Sequence, residues 1–194
     1  MSVLLSTALG VRFNRICGAF GNKISEQAET DLLTGLKNRR SIMTFLQTVI
    51  DQSRNQKGQL SLMMINLGHF KSINDSYGHL AGDVCLKQIA ELIQQNVRDS
   101  SDIAGRFGGE EFIVVIKNID AQKALGIANN IRTSIEQTSV FINDEIQLTL
   151  TATIGICTIN NEQFTSIEHL VDLADKALYA GKNEGRNRVV VAVA

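Results

Sequence analysis

Cysteine is scarce and poorly placed for chemistry. Cys17, Cys85 and Cys157 stand far apart in apolar surroundings, with no CxxC pair and no Cys/His cluster, which argues against both disulfides and structural zinc. Charge of one sign is lacking as well: 19 basic and 20 acidic residues leave a net charge of −1 and a pI near 6.3. No broad electrostatic footprint exists to draw the chain to nucleic acid or an anionic bilayer, so any phosphate recognition must be local. Long hydrophobic runs are missing too. The apolar stretch from Val3 to Val11 is too short to span a bilayer. Arg12 and Arg15 follow that stretch instead of preceding it, which is the wrong order for a secretory signal. The expected location is the cytoplasm, with no membrane span and no nucleic-acid partner. Proline is absent altogether, which decides nothing about function.

What is present suits one packed core plus an extra element: 194 residues, 44% hydrophobic and 20% charged. Over residues 1–29, Leu4, Leu5, Ala8, Val11, Ile16, Ala19 and Phe20 recur every three to four positions, predicting an amphipathic lead helix interrupted by Gly10 and Gly18. Such a helix serves as a stalk from an upstream sensor, as a dimerising element, or simply packs on its own domain. Residues 30–194 then carry the domain proper. Helical spacing predicts a helix from Arg39 to about Gln56, and the apolar run Leu60–Leu67 a strand covered on both faces. A short helix Phe70–Tyr77 and a longer one to about Val97 follow, separated by Gly78. Strands Ile103–Phe107 and Phe112–Ile116 flank a tight hairpin turn whose glycines are expected to supply positive φ. A helix over Ala121–Gln137 leads to a strand over Leu148–Ile156, where alternation with Thr149, Thr151 and Thr153 predicts one core face. Ser166 is placed to cap a further helix, and Val189–Val193 closes the chain as a strand. This order implies an α/β fold, an α+β sandwich with a mixed central sheet flanked by helices, and the hairpin rules out a purely parallel sheet.

Four places carry potential chemistry. The turn Gly108-Gly109-Glu110-Glu111 sets two carboxylates where glycines allow close approach of a phosphate; taken alone, it reads as a solvated turn. Asn66 to Gly68 end the first long strand, and His69-Phe70-Lys71 open a helix, whose bare amides and lysine suit an anion. Asn74 and Asp83 lie on either side of a glycine-rich break and together match the donors and acceptors of guanine, or merely end one helix and start the next. Lys182 and Arg186 flank Gly185 before the last strand and offer two further cations, each individually readable as a surface base.

Taken together, Asp31–Arg40 (DLLTGLKNRR), Phe70–His79 (FKSINDSYGH) with Gly82-Asp83, Arg106–Phe112 (RFGGEEF) and Ala174–Tyr179 (ADKALY) through Lys182 to Arg186 resemble the four landmark blocks of GGDEF domains, in order and at the family's spacing. The resemblance covers about residues 30–192. It implies a fold like the adenylyl cyclase catalytic core and the polymerase palm. It also implies a metal-dependent diguanylate cyclase that condenses two GTP into cyclic di-GMP and pyrophosphate at the interface of a homodimer. By position, Glu110 resembles the essential metal-binding carboxylate and Glu111 the fourth member of the motif; Asn74 and Asp83 match the guanine readers. Lys71, Lys182 and Arg186 match phosphate-binding cations. Leu67, Gly68, His69 and Phe70 match the loop around the terminal phosphates, with Gly108 and Gly109 at the substrate as well. Mg²⁺ or Mn²⁺ would sit on Glu110, Asn66 and the Leu67 carbonyl.

Two departures qualify the resemblance. The family's first strand ends Asp-x-Asp, where this chain has Asn66 and Gly68. A neutral amide oxygen is a weaker ligand for a hard cation than a carboxylate, so metal affinity is expected to fall. The inhibitory Arg-x-x-Asp retains Asp102, but Asp99 stands at the arginine position with Arg98 one residue away, which puts product feedback in doubt. Three readings follow: an active cyclase, a degenerate GTP-binding or dimerising regulatory domain, and a nucleotidyl cyclase with another product.

Overall fold

The computed structural model describes residues 29–53, 58–98, 101–160 and 166–192. Nearly all of the lead helix expected over 1–29, together with Asp99, lies outside them. The described elements are β1 (Lys37–Asn38), α1 (Arg39–Ser53), β2 (Gln59–Leu67), α2 (Phe70–Tyr77), α3 (His79–Gln95), β3 (Ile103–Gly108), β4 (Glu111–Lys117), α4 (Ala121–Gln137), β5 (Ser139–Phe141), β6 (Gln147–Thr149), β7 (Ala152–Asn160), α5 (Ile167–Asn183) and β8 (Val189–Val191).

Six strands form one sheet in the order β1-β3-β4-β2-β7-β8. The inner pairings β3/β4, β4/β2 and β2/β7 are antiparallel, whereas the edge pairings β1/β3 and β7/β8 are parallel. The expected mixed, largely antiparallel sheet between helices is therefore what the chain forms. β2 shows why it needs cover on both sides. Met63, Ile65 and Leu67 join the α3/α4 core, while Leu60, Leu62 and Met64 join the α1/α5 core, as the two-residue period of a strand requires. Each fully buried Leu or Ile contributes roughly 1.5–3 kcal/mol of transfer free energy, largely offset by chain entropy.

The strand expected over Leu148–Ile156 is in fact two. Gln147–Thr149 pairs with Ser139–Phe141 in a separate ribbon, and the sheet strand begins at Ala152. At the break, Leu150 turns into the α3/α4 core and the Thr151 carbonyl accepts from Gly68 N–H at 2.8 Å. The expectation of one core face also fails, because helices cover both sides and even Thr153 is buried. The three-residue β5 and two-residue β1 are too short to show a period. Ser166 caps α5 as expected, its hydroxyl accepting from His169 N–H at 3.1 Å. Among the described residues, no helix is long and apolar enough to cross a membrane.

Candidate active site

One end of the sheet collects the chemistry, and α2 and α3 shape its first half. They are joined by Gly78 alone, at φ +82°, whose N–H donates to the Asn74 carbonyl at 2.9 Å. Gly82 then lets the two helices cross closely: any Cβ there would run into Asn74 Oδ1 and come within 3.0 Å of Phe70 Cζ. This close crossing brings Asn74 and Asp83, nine residues apart, to one open cleft of about 410 Å³. Phe70 and Leu86 supply its apolar wall, Lys71 its cation, and Gly109 with Glu110 its far rim. Among the described residues, the side chains of Lys71, Asn74, Asp83 and Glu110 carry no hydrogen bond or ion pair, so their capacity is open to a ligand.

The hairpin separates the two glutamates that the sequence places together. Gly108 pairs with Glu111, so the turn consists of Gly109 and Glu110, and a register shift precedes it. Only Gly109 adopts positive φ, at +53°; Gly108 does not, contrary to the expectation that both would. Glu110 borders the cleft, whereas Glu111 lies within β4 opposite Asn66. Asn66 is in turn opposite Thr153, so Glu111, Asn66 and Thr153 form one row on the α5 face. Lys182 on α5 reaches that row, with Nζ 3.8 Å from Glu111 Oε1. Arg186 follows α5 in a left-handed conformation and does not line the cleft itself.

The strand-end loop divides in two. Leu67 N–H donates to the Glu110 carbonyl at 3.3 Å and Gly68 N–H to the Thr151 carbonyl at 2.8 Å. Those two amides are spent inside the protein. The free amides of a helix first turn therefore start nearer His69, which sits in the left-handed region at φ +57° before Phe70 and Lys71. A Cβ on Gly68 would meet Thr151 Oγ1 at 2.5 Å, so the glycine that replaces the family's second aspartate is matched to its neighbour.

Three lining residues were given no role at the sequence level: His79, Leu86 and Arg106. Arg106 braces the turn. Its Nε donates to the Gly109 carbonyl at 2.9 Å, and its Nη1 lies 3.3 Å from Asp31 Oδ1. Burial pushes the Asp31 carboxyl up, but hydrogen bonds from the Thr34 hydroxyl and backbone and the Arg106 guanidinium outweigh it and hold Asp31 below the usual carboxylate range. The signal was its position two residues before the glycine pair. Elsewhere, Asp102 is already saturated: Arg98 clamps both its oxygens at 2.6 and 2.9 Å, and Lys117 N–H adds a third contact at 3.1 Å.

Among the described residues, no cluster of three or more His, Cys, Asp or Glu side chains could hold a metal unaided. The donors offered by the end of β2 and the hairpin turn, the Glu110 carboxylate, the Asn66 amide oxygen and the Leu67 carbonyl, are all hard oxygens by type. They fit Mg²⁺ or Mn²⁺ in a site completed by ligand phosphates.

Known proteins share this sequence pattern and fold. The family profile "Diguanylate cyclase, GGDEF domain" matches residues 28–188. Diguanylate cyclase A of Treponema denticola is 38% identical over 174 residues, covering 88% of this chain and 46% of that protein. The GGDEF domain of PA1120 (TpbB or YfiN) from Pseudomonas aeruginosa superimposes with a TM-score of 0.79 at 33% identity, over 84% of this chain and 94% of that one. The GGDEF domain of DgcB from Caulobacter crescentus, solved in complex with c-di-GMP, gives 0.79 at 27% identity over 85% and 96%. The chain spans about a third to a half of the length of the curated relatives it matches. A signature hairpin at the sheet end, a helix pair crossing beside it and a profile match over most of the sequence place this chain in the GGDEF family.

Proposed function

We propose that this chain is a diguanylate cyclase domain that condenses two GTP into cyclic di-GMP and pyrophosphate, with one GTP on each of two facing copies. The observation that carries the reading is the single cleft in which Asn74 and Asp83 meet Lys71 and Glu110. The Asp83 carboxylate suits the N–H donors on guanine's Watson–Crick edge, and the Asn74 amide can both donate and accept. Adenine does not present the same donors, which favours GTP over ATP.

From the guanine pocket the phosphates run past Lys71 and the first turn of α2, over the strand ends, towards Lys182 and Arg186. Those three cations neutralise the triphosphate, Glu111 orients Lys182, and Gly108 and Gly109 let the hairpin lie close against the ligand. Two copies face each other so that the 3′-hydroxyl oxygen of one GTP meets the α-phosphorus of the other. The new O–P bond forms as the bond to the β-phosphate's bridging oxygen breaks; pyrophosphate leaves and the hydroxyl proton passes to solvent. The reciprocal step closes the ring. When bound at Glu110, Asn66 and the Leu67 carbonyl, Mg²⁺ or Mn²⁺ would stabilise charge on the α-phosphate and the leaving group. Residues 1–29 serve as the stalk or dimerising element that brings the copies together and links them to an upstream sensor, and residues 30–194 form the catalytic unit in the cytoplasm.

The test is incubation with GTP and Mg²⁺ or Mn²⁺ over a range of protein concentrations. Cyclic di-GMP should form, with a rate rising more steeply than linearly below the dimer Kd; no product at high protein concentration contradicts the reading. Asn66 and Gly68 favour a second reading, a domain that binds GTP and dimerises without turnover, and GTP binding with no product supports it. A mixed GTP and ATP incubation tests for any other cyclic dinucleotide.

A further inference from the structure

We infer that Asn187 is a positioning residue that holds Arg186 at the phosphate end of the site. The inference rests on the proposed reading of Arg186 as a phosphate contact.

Gly185, Arg186 and Asn187 adopt positive φ in succession, at +110°, +61° and +47°. Glycine does so freely and asparagine tolerates it, but arginine has no local compensation for the left-handed region. Something must therefore hold this stretch, and the structure shows what. The Arg186 N–H donates to the Gly181 carbonyl at 3.0 Å, and its carbonyl accepts from Arg188 Nε at 3.2 Å. Asn187 makes three further contacts, all to other parts of the fold. Its N–H donates to Thr153 Oγ1 at 3.1 Å, its Nδ2 to Glu136 Oε1 at 2.6 Å, and its Oδ1 accepts from Arg132 Nη1 at 3.1 Å. Arg132 and Glu136 are themselves paired at 2.7 Å on α4, which closes a three-residue ring. A guanidinium on one side and a carboxylate on the other also fix which amide atom is oxygen and which is nitrogen.

The Thr153 contact gives the clamp its direction. Thr153 lies in the same row as Asn66 and Glu111, and Lys182 reaches Glu111. Asn187 thus registers the left-handed stretch against the strand row that ends at the candidate metal and phosphate site. Among the described residues, every polar contact of Arg186 goes through its backbone, and its guanidinium has no hydrogen bond or ion pair. The backbone is fixed and the cation is left for a ligand.

Two substitutions separate conformation from clamping. Asn187→Gly keeps the left-handed backbone but removes the ring, and Asn187→Ala removes both. GTP and guanosine affinities are measured for each by titration, alongside Arg186→Ala and the double variant R186A/N187G. Loss of hydrogen bonds that aim a charged contact should weaken GTP about fivefold to tenfold in Asn187→Gly and further in Asn187→Ala, with guanosine affinity unchanged. Adding Asn187→Gly to Arg186→Ala should cost nothing more, since the clamp acts through the cation. GTP affinity at the wild-type level in Asn187→Gly overturns the inference, as does an equal loss for GTP and guanosine, which marks a merely structural role. If Arg186→Ala itself leaves GTP affinity unchanged, the phosphate reading of Arg186 fails and this inference falls with it.

Discussion

The two halves of the candidate site are built by different means. At the end proposed for the nucleoside, the site is a product of packing: Gly78 and Gly82 let two helices cross so closely that Asn74 and Asp83 share one wall. At the strand end, the proposed cation and phosphate contacts call for charge, and charge is thin there. Asn66 is neutral, Gly68 carries no side chain, and Glu111 is partly engaged by Lys182 at 3.8 Å. Packing-built recognition survives loss of a carboxylate elsewhere, whereas a hard-cation site is weakened by it. The chain should therefore bind GTP well and turn it over slowly.

The sharpest way to break this contrast is Glu110→Gln. Removing the carboxylate at the cleft's hairpin rim should lower turnover by about a hundredfold to a thousandfold, a magnitude typical of lost transition-state stabilisation, while GTP affinity in the absence of added metal changes little. Steady-state rates and metal-free titration check both halves; equal losses in each would erase the distinction between the ends. Asp83→Ala attacks the other end. It should weaken GTP by about tenfold to a hundredfold, the range for a lost hydrogen bond to a charged group, and narrow the preference over ATP. Asn66→Asp should raise turnover about tenfold by restoring a carboxylate at the end of β2, within the range by which metal-site changes alter activity. No gain would place the limit somewhere other than the metal site.

Smaller effects probe the scaffold. Gly82→Ala forces a Cβ onto Asn74 and Phe70, an overpacking that costs about 1–3 kcal/mol and lowers Tm by roughly 2–10 °C for a domain of this size. GTP affinity should fall with it. The least effect comes from Asp31. Its folded carboxyl is held below the usual range, so its contribution to stability is present above the unfolded value of about 4 and is lost as pH falls through the lower folded value. Asp31→Asn should lower Tm slightly at pH 7 and not at all once the wild-type carboxyl is protonated, which thermal melts across pH reveal.

Much of this was legible from residues alone because the signals were long or chemically distinctive. Helix Phe70–Tyr77 and helix Ala121–Gln137 stand where apolar spacing put them, and Ser166 caps as its type suggests. The guanine and phosphate candidates Asn74, Asp83 and Lys71 converge on one cleft with Glu110. What was illegible depends on partners distant in sequence. Thr149, Thr151 and Thr153 alternate perfectly, yet the Gly68–Thr151 contact and the Leu150 side chain break the strand between them. Glu110 and Glu111 look alike in sequence, and only the two-residue turn sends one to the cleft and the other into the row beside Asn66. His79 carried no periodicity or spacing to give it a role, and Arg106 only its place two residues before the glycine pair.

A crystal structure with a non-hydrolysable GTP analogue and Mg²⁺ tests the shared cleft most directly. The guanine should lie between Asn74 and Asp83, with the phosphates passing Lys71 towards Lys182 and Arg186 and the cation on Glu110. A nucleotide bound elsewhere on the surface, or a base seated away from Asn74 and Asp83, would contradict it.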